Sequence, residues 1–147
     1  MGQKGKLDAL LEASVENGFD SSLNLNYVSV EQDEVRAAIT IDSSLWQPAG
    51  IVHGGVFCSI VESVASAGAT AWVLENSTEC AFVGIANTTD FFRSVRDGGL
   101  TAIGRPLHQG RRTQVWSVEV FDRDILVARG TLRGLSLIHI SEPTRRY

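Results

Sequence analysis

The chain sets a lone carboxylate, Glu62, inside a long apolar run that opens on His53-Gly54-Gly55. A carboxylate in such a run can serve as a general base or as a nucleophile. The first turn of a helix leaves backbone N–H groups free, and its dipole favours developing negative charge. Gly54 carries no side chain to block close approach, so its N–H is a candidate oxyanion donor. Ser66 lies four residues beyond Glu62 and shares its helical face, where it can position a water. Gln47 stands in the preceding loop, marked by Pro48 and Gly50, and can bond an acyl oxygen or orient Glu62. His53 has the side chain most often used for proton transfer near neutrality, although its place ahead of the glycines also suits capping. The plain alternatives are a structural Glu62 bonded to backbone or serine, and glycines that merely start a packed helix.

Elements must position these groups. From Gly54 to Glu75 nothing breaks a helix strongly, and Val56, Ile60, Val61, Val64, Ala65, Ala67, Ala71 and Trp72 surround the wheel. A helix apolar on every side is buried, which predicts a buried Glu62 as well. The run is long enough to cross a bilayer, but it is rich in Ala, Gly and Ser, holds Glu62 and lacks flanking Lys or Arg anchors, so a core helix is expected. Before it, Leu7–Glu16 reads as an amphipathic helix covering one end of a sheet, with Leu7, Leu10, Leu11 and Val15 on one stripe. Strand periodicity follows over 23–30 and 35–41. After it come extended runs at 80–92, 100–107, 113–121 and 125–132, parted by polar turns. This order predicts an α+β fold, an antiparallel sheet curled around one long helix.

At 147 residues the chain makes one domain with a real core, expected over residues 1–135. Ser136–Tyr147 does not continue the pattern; it reads as a non-native or disordered tail, and His139 within it is given no role. The net charge of −4 argues against nucleic acid as a partner. Cys58 and Cys80, the only two cysteines, are too few and too isolated for a zinc site or a disulfide framework. They read as buried thiols in a reducing compartment. No apolar leader follows Met1, so a cytoplasmic protein with no membrane association is expected.

Gln47, His53-Gly54-Gly55, Glu62 and Ser66 resemble the hotdog-fold acyl-CoA thioesterases, most closely the phenylacetic-acid-pathway and Arthrobacter-type 4-hydroxybenzoyl-CoA enzymes. Asn87-Thr-Thr-Asp-Phe-Phe-Arg93, Gly98-Gly99-Leu-Thr101 and His108-Gln-Gly-Arg-Arg112 extend the resemblance, which covers roughly residues 23–132. Ser94 departs from it where many relatives have proline, and Ser66 stands where the 4-hydroxybenzoyl enzymes carry threonine. The resemblance implies a hotdog fold and hydrolysis of an aryl- or medium-chain acyl-CoA, with no metal or cofactor beyond the coenzyme A of the substrate. It also implies Glu62 as base or nucleophile. Gly55, Asn87 and Thr88 are then expected along the substrate, and Arg93, Arg111 and Arg112 at its phosphates. Trp46, Phe57, Phe82 and Trp72 are candidate walls of an acyl pocket.

Spacing raises a conflict. Eight residues of helix separate Gly54 from Glu62 by about 12 Å, too far for one carbonyl to touch both. Two copies of the helix running antiparallel across a two-fold axis would bring Gly54 and Gln47 of one chain to Glu62 and Ser66 of the other. The resemblance implies the same composite homodimer, which can build further to a tetramer. A hotdog hydratase or dehydratase and a non-catalytic acyl-CoA-binding module are the competing readings.

Overall fold

The computed structural model describes residues 2–77 and 80–138, the side chain of Ile138 excepted. Helix α1 (Gln3–Asn17) and the four-residue α2 (Phe19–Ser22) lead into strands β1 (Leu25–Val30) and β2 (Val35–Ile41). A short 3-10 turn, Ser43–Leu45, and a loop then carry the chain to the central helix α3 (Gly54–Asn76). Strands β3 (Cys80–Phe91), β4 (Gly98–Gln109), β5 (Thr113–Asp122) and β6 (Ile125–Ile138) follow. All six strands form one antiparallel sheet in the order β1-β2-β4-β5-β6-β3, with α3 packed on one face. This is the α+β hotdog layout expected from the sequence.

The core lies between α3 and that face. Val35, Ala37 and Ile39 of β2, Leu100 and Ala102 of β4, and Trp116, Val118 and Val120 of β5 are buried by the two-residue alternation of a half-covered sheet. They meet Ile60, Val61, Val64 and Ala65 of α3. Contact is closest where Gly68 crosses Trp116: a β-carbon there would stand 2.3 Å from the indole ring. Trp116 donates through Nε1 to Gln114 Oε1 at 2.8 Å, and Gln114 Nε2 donates to the Ala69 carbonyl at 3.2 Å. The buried amide and indole therefore satisfy each other, as interior polar groups must. Among the described residues α3 is the one helix long and apolar enough to cross a membrane, and most of its apolar window is buried in this core.

Helix α1 meets the sheet at its β1 edge, where Val30 packs against the cluster around Leu7. It packs along the C-terminal half of α3, where Leu7 joins Ala71 and Leu74, while Leu10 is 56% exposed. The break expected at residue 136 does not interrupt the sheet. β6 stays paired with β3 through Ser136, Leu137 and Ile138, because a backbone ladder needs no apolar alternation; Leu137 is exposed. Residues 139–147, His139 included, lie outside the described residues. The short α2 was not legible, since four residues carry no periodicity.

Candidate active site

Glu62 is exposed, not buried. The sheet covers one side of α3, and Cys58, Ser59, Glu62, Ser63, Ser66 and Thr70 recur every three or four residues on the side turned away from it. Cys58 and Cys80 are likewise half-buried free thiols rather than buried ones. Ser59 and Ser63 line the same cleft as Glu62, together with Phe19, Cys58 and Asn87. A second groove of about 290 Å³ starts at Glu62 and runs between α1 and α3; Leu10, Leu11, Ser66 and Thr70 flank it.

Asn87 reaches Glu62 from β3. Its Nδ2 donates to the Cys58 carbonyl at 2.9 Å and to Glu62 Oε1 at 3.3 Å. Thr89 Oγ1 donates to Asn87 Oδ1 at 2.7 Å, and the Cys58 carbonyl, which can only accept, fixes which end of the amide faces the helix. The Glu62 carboxylate is thus anchored through one oxygen. Its other oxygen, Oε2, lies where a β-carbon on Gly84 would approach to 3.1 Å. Beside that glycine β3 slips register against β6, between Gly84 and Ala86. Bulges of this kind re-aim side chains at sheet edges and next to active sites.

The amino end of α3 is a separate place. His53 is its N-cap, and His53 Nδ1 accepts from the Gly55 N–H at 2.8 Å. A neutral His53 therefore carries its proton on Nε2, which remains a donor. The Gly54 N–H, at the first helical position, has no residue four back inside the helix to accept it. The Phe91 ring lies directly on Gly54, 2.5 Å from where a β-carbon would stand, so the glycine also has a packing reason. Gln47 braces the loop: its N–H donates to the Ile51 carbonyl at 2.8 Å, and its Oε1 accepts from the Ala49 N–H. Gln47, Gly54, Phe57, Phe91 and Arg93 line one cleft of about 300 Å³. Trp46, His53, Gly55 and Ser59 line a neighbouring one, with Phe19 on its far side.

One chain thus brings Glu62, Ser66 and Asn87 together, and separately Gln47, Gly54 and Arg93, while His53 and Gly55 flank both regions. The cleft at Gly54 and the two at Glu62 share no lining residue. Thr88 is exposed on β3, an edge strand bonded on one side only, to β6. Arg111 and Arg112 are exposed in the β4–β5 turn and line none of these clefts. Of the expected walls, Trp46 and Phe57 border clefts at the helix start; Phe82 packs over Gly134 against the core, and Trp72 borders none of these clefts. Among the described residues no three His, Cys, Asp or Glu side chains converge as a metal site requires.

Sequence reasoning missed Phe19, Asp20 and Tyr27. Asp20, on α2, is buried and accepts from Ser63 Oγ at 2.5 Å, Ser14 Oγ at 3.1 Å and Tyr27 Oη at 3.2 Å. Burial, with the Asp20 charge and hydrogen bond added, pushes the Tyr27 phenol well above its usual pKa, so it stays protonated and remains a donor. A carboxylate beside Phe19 just after Gly18 carries no spacing signal. The serines at 59, 63 and 66 around Glu62 do carry one.

With this geometry in place, comparison with known proteins places the chain among relatives. A family pattern described as the thioesterase superfamily matches residues 49–128. The Mycobacterium tuberculosis protein Rv1847 is 42% identical over 78% of this chain and 83% of its own length. Its solved structure superposes with a TM-score of 0.79, at 41% identity, covering 83% of this chain and 98% of that one. The 1,4-dihydroxy-2-naphthoyl-CoA hydrolase of Escherichia coli is 33% identical over 76% of this chain and 80% of that protein. The proofreading thioesterase EntH of Klebsiella pneumoniae is 32% identical, covering 78% and 81%.

Proposed function

Since the chain belongs to the thioesterase superfamily, we propose that it is an acyl-CoA thioesterase that hydrolyses an aryl- or medium-chain acyl-CoA, with Glu62 as the base or nucleophile. The observation that carries this reading is the anchoring of Glu62. A helix-borne carboxylate held through one oxygen by an oriented amide, at an open cleft, is prepared to act through the other. As a base, Glu62 takes a proton from water while the water oxygen attacks the thioester carbonyl. The tetrahedral oxyanion is held by the Gly54 N–H. Collapse breaks the C–S bond, and the proton on Glu62 passes to the departing sulfur, leaving a free acid and coenzyme A. As a nucleophile, Glu62 forms an anhydride that water then opens, with the same products. His53 Nε2–H and Gln47 are further donors to the acyl oxygen.

The separation of the Gly54 and Glu62 clefts within one chain supports a composite site in a homodimer, and a tetramer is a natural further assembly. Strand β3 has a side with no neighbour in the sheet order, which suits pairing with a second copy. Asn87 belongs to the setting of Glu62, with Ser66 as water positioner. Gly55 and Thr88 are placed along the pantetheine, and Arg93, Arg111 and Arg112 at the phosphates, the last two where the chains assemble. The aryl arm draws support from the relative named as a naphthoyl-CoA hydrolase. The reading includes the phenylacetic-acid-pathway and 4-hydroxybenzoyl-type subfamily, a cytoplasmic setting, and no metal or separate cofactor.

Mixing two inactive variants tests it. Glu62→Gln and Gln47→Ala each lose thiol release, and refolding them together restores about a quarter of wild-type activity. Half of random dimers are mixed, and each mixed dimer keeps one intact site. No loss in Glu62→Gln removes the mechanism; no recovery on mixing removes the composite site.

A further inference from the structure

Phe19 and Asp20 are neighbours that face opposite ways. Asp20 is 8% exposed and Phe19 is 65% exposed. The Asp20 carboxylate gathers hydroxyl donors from three elements: Ser14 of α1, Tyr27 of β1 and Ser63 of α3. An acid suits this place better than an amide, because a carboxylate only accepts and each of these neighbours can donate. The cluster pins α2 onto α3 one residue after Glu62. With Asp20 turned in, Phe19 is turned out. Its ring borders the cleft that holds Cys58, Glu62 and Asn87, and also the one that holds Trp46 and His53. What sets Phe19 apart from the other exposed apolar side chains is that it lines both clefts, where an acyl group packed on its ring would take the ring out of water.

We infer that Phe19 is a specificity-determining residue that covers the acyl group beside Glu62, and that Asp20 is the positioning residue that holds it there. This rests on the thioester-hydrolase reading and adds the group that sorts acyl chains. A planar aryl group stacks on a fixed ring, whereas a straight chain has only apolar contact to gain, so the anchored Phe19 favours aryl thioesters.

The test compares kcat/KM for benzoyl-CoA and hexanoyl-CoA in the wild type, Phe19→Ala, Asp20→Asn and the double variant. Phe19→Ala lowers the benzoyl-to-hexanoyl ratio about tenfold, mainly through KM for benzoyl-CoA. Asp20→Asn lowers the same ratio, and the double variant lowers it no further than Phe19→Ala alone. Tyr27→Phe, which removes one donor to Asp20, gives a smaller shift in the same direction and stands in if Asp20→Asn does not fold. An unchanged ratio in Phe19→Ala overturns the role of Phe19. Additive losses in the double variant, or an Asp20→Asn that melts earlier yet sorts substrates as the wild type does, overturn the role of Asp20. Glu62→Gln run alongside separates the two levels: full turnover in that variant sinks the hydrolase reading, whereas its loss with an unchanged Phe19→Ala ratio sinks only this inference.

Discussion

The two sides of α3 handle polar atoms in opposite ways. On the side against the sheet, Gln114 and Trp116 close a short relay onto the Ala69 carbonyl, and Gly68 yields its side chain so the indole can fit. Every partner there is spoken for. On the other side, Glu62 is held through Oε1 by Asn87, Oε2 lies over Gly84 of β3, and the residue lines an open cleft. One helix thus supplies closed packing inward and prepared chemistry outward. Damage to the inner side should appear as lost stability, and damage to the outer side as lost turnover.

The sharpest way to break this comparison is Glu62→Gln. It is expected to cut kcat by roughly 10²–10⁴-fold, as loss of a positioned base typically does, with a melting temperature near that of the wild type. A large fall in melting temperature would show that the outward side is structural after all. Next comes Gly68→Ala on the inner side. A β-carbon would be driven into the Trp116 ring, and overpacking of this kind costs about 1–3 kcal/mol or more, readable by chemical denaturation. KM should stay close to the wild-type value in the folded fraction; a changed KM would mean that the two sides are coupled.

Asn87→Ala tests the anchor between the two regimes. It leaves Glu62 free to turn, and kcat is expected to fall about tenfold, the worth of one hydrogen bond to a charged group, with KM changed less. A fall in KM-determined binding with kcat intact would reassign Asn87 to substrate contact. The smallest effect concerns Asp42, which starts the turn leading to Gln47. Its carboxylate accepts from the Ser44 hydroxyl and N–H and from Asn24 Nδ2, and these bonds hold its pKa below the usual carboxylate range. A folded pKa below the unfolded value gives stability that is present above about pH 4 and lost as pH falls through the folded value. Asp42→Asn should therefore flatten the acid side of the stability profile slightly, and carboxyl NMR titration of Asp42 reads the shift directly.

Much of this was legible in the sequence. The six strands along the chain and the central helix followed from two periodicities and from polar punctuation, because burial on one sheet face imposes alternation; their order in the sheet did not. The bounds of β2, Val35–Ile41, were read to the residue. Glu62 and Gly54 stand out because carboxylates and bare helix starts are uncommon in apolar surroundings, whereas Gln47 is carried by the family resemblance. The exposure of Glu62 runs against a wheel that is apolar all round, although the serines at 59, 63 and 66 trace a polar face beside it. The Asp20 cluster was out of reach: it joins residues 14, 20, 27 and 63, and only folding brings such distant positions together.

The fates of two indoles give the molecule a pair of optical handles. Trp116 is wholly shielded, while Trp46, 43% exposed, donates through Nε1 to the Arg96 carbonyl at the mouth of the His53 cleft. Emission from the first should be blue and report unfolding; emission from the second should be red and quenchable by iodide. Addition of coenzyme A should dim or shift only the Trp46 component, and in a Trp72→Phe background, which removes the third, half-buried indole, one unlabelled sample reports folding and occupancy at once.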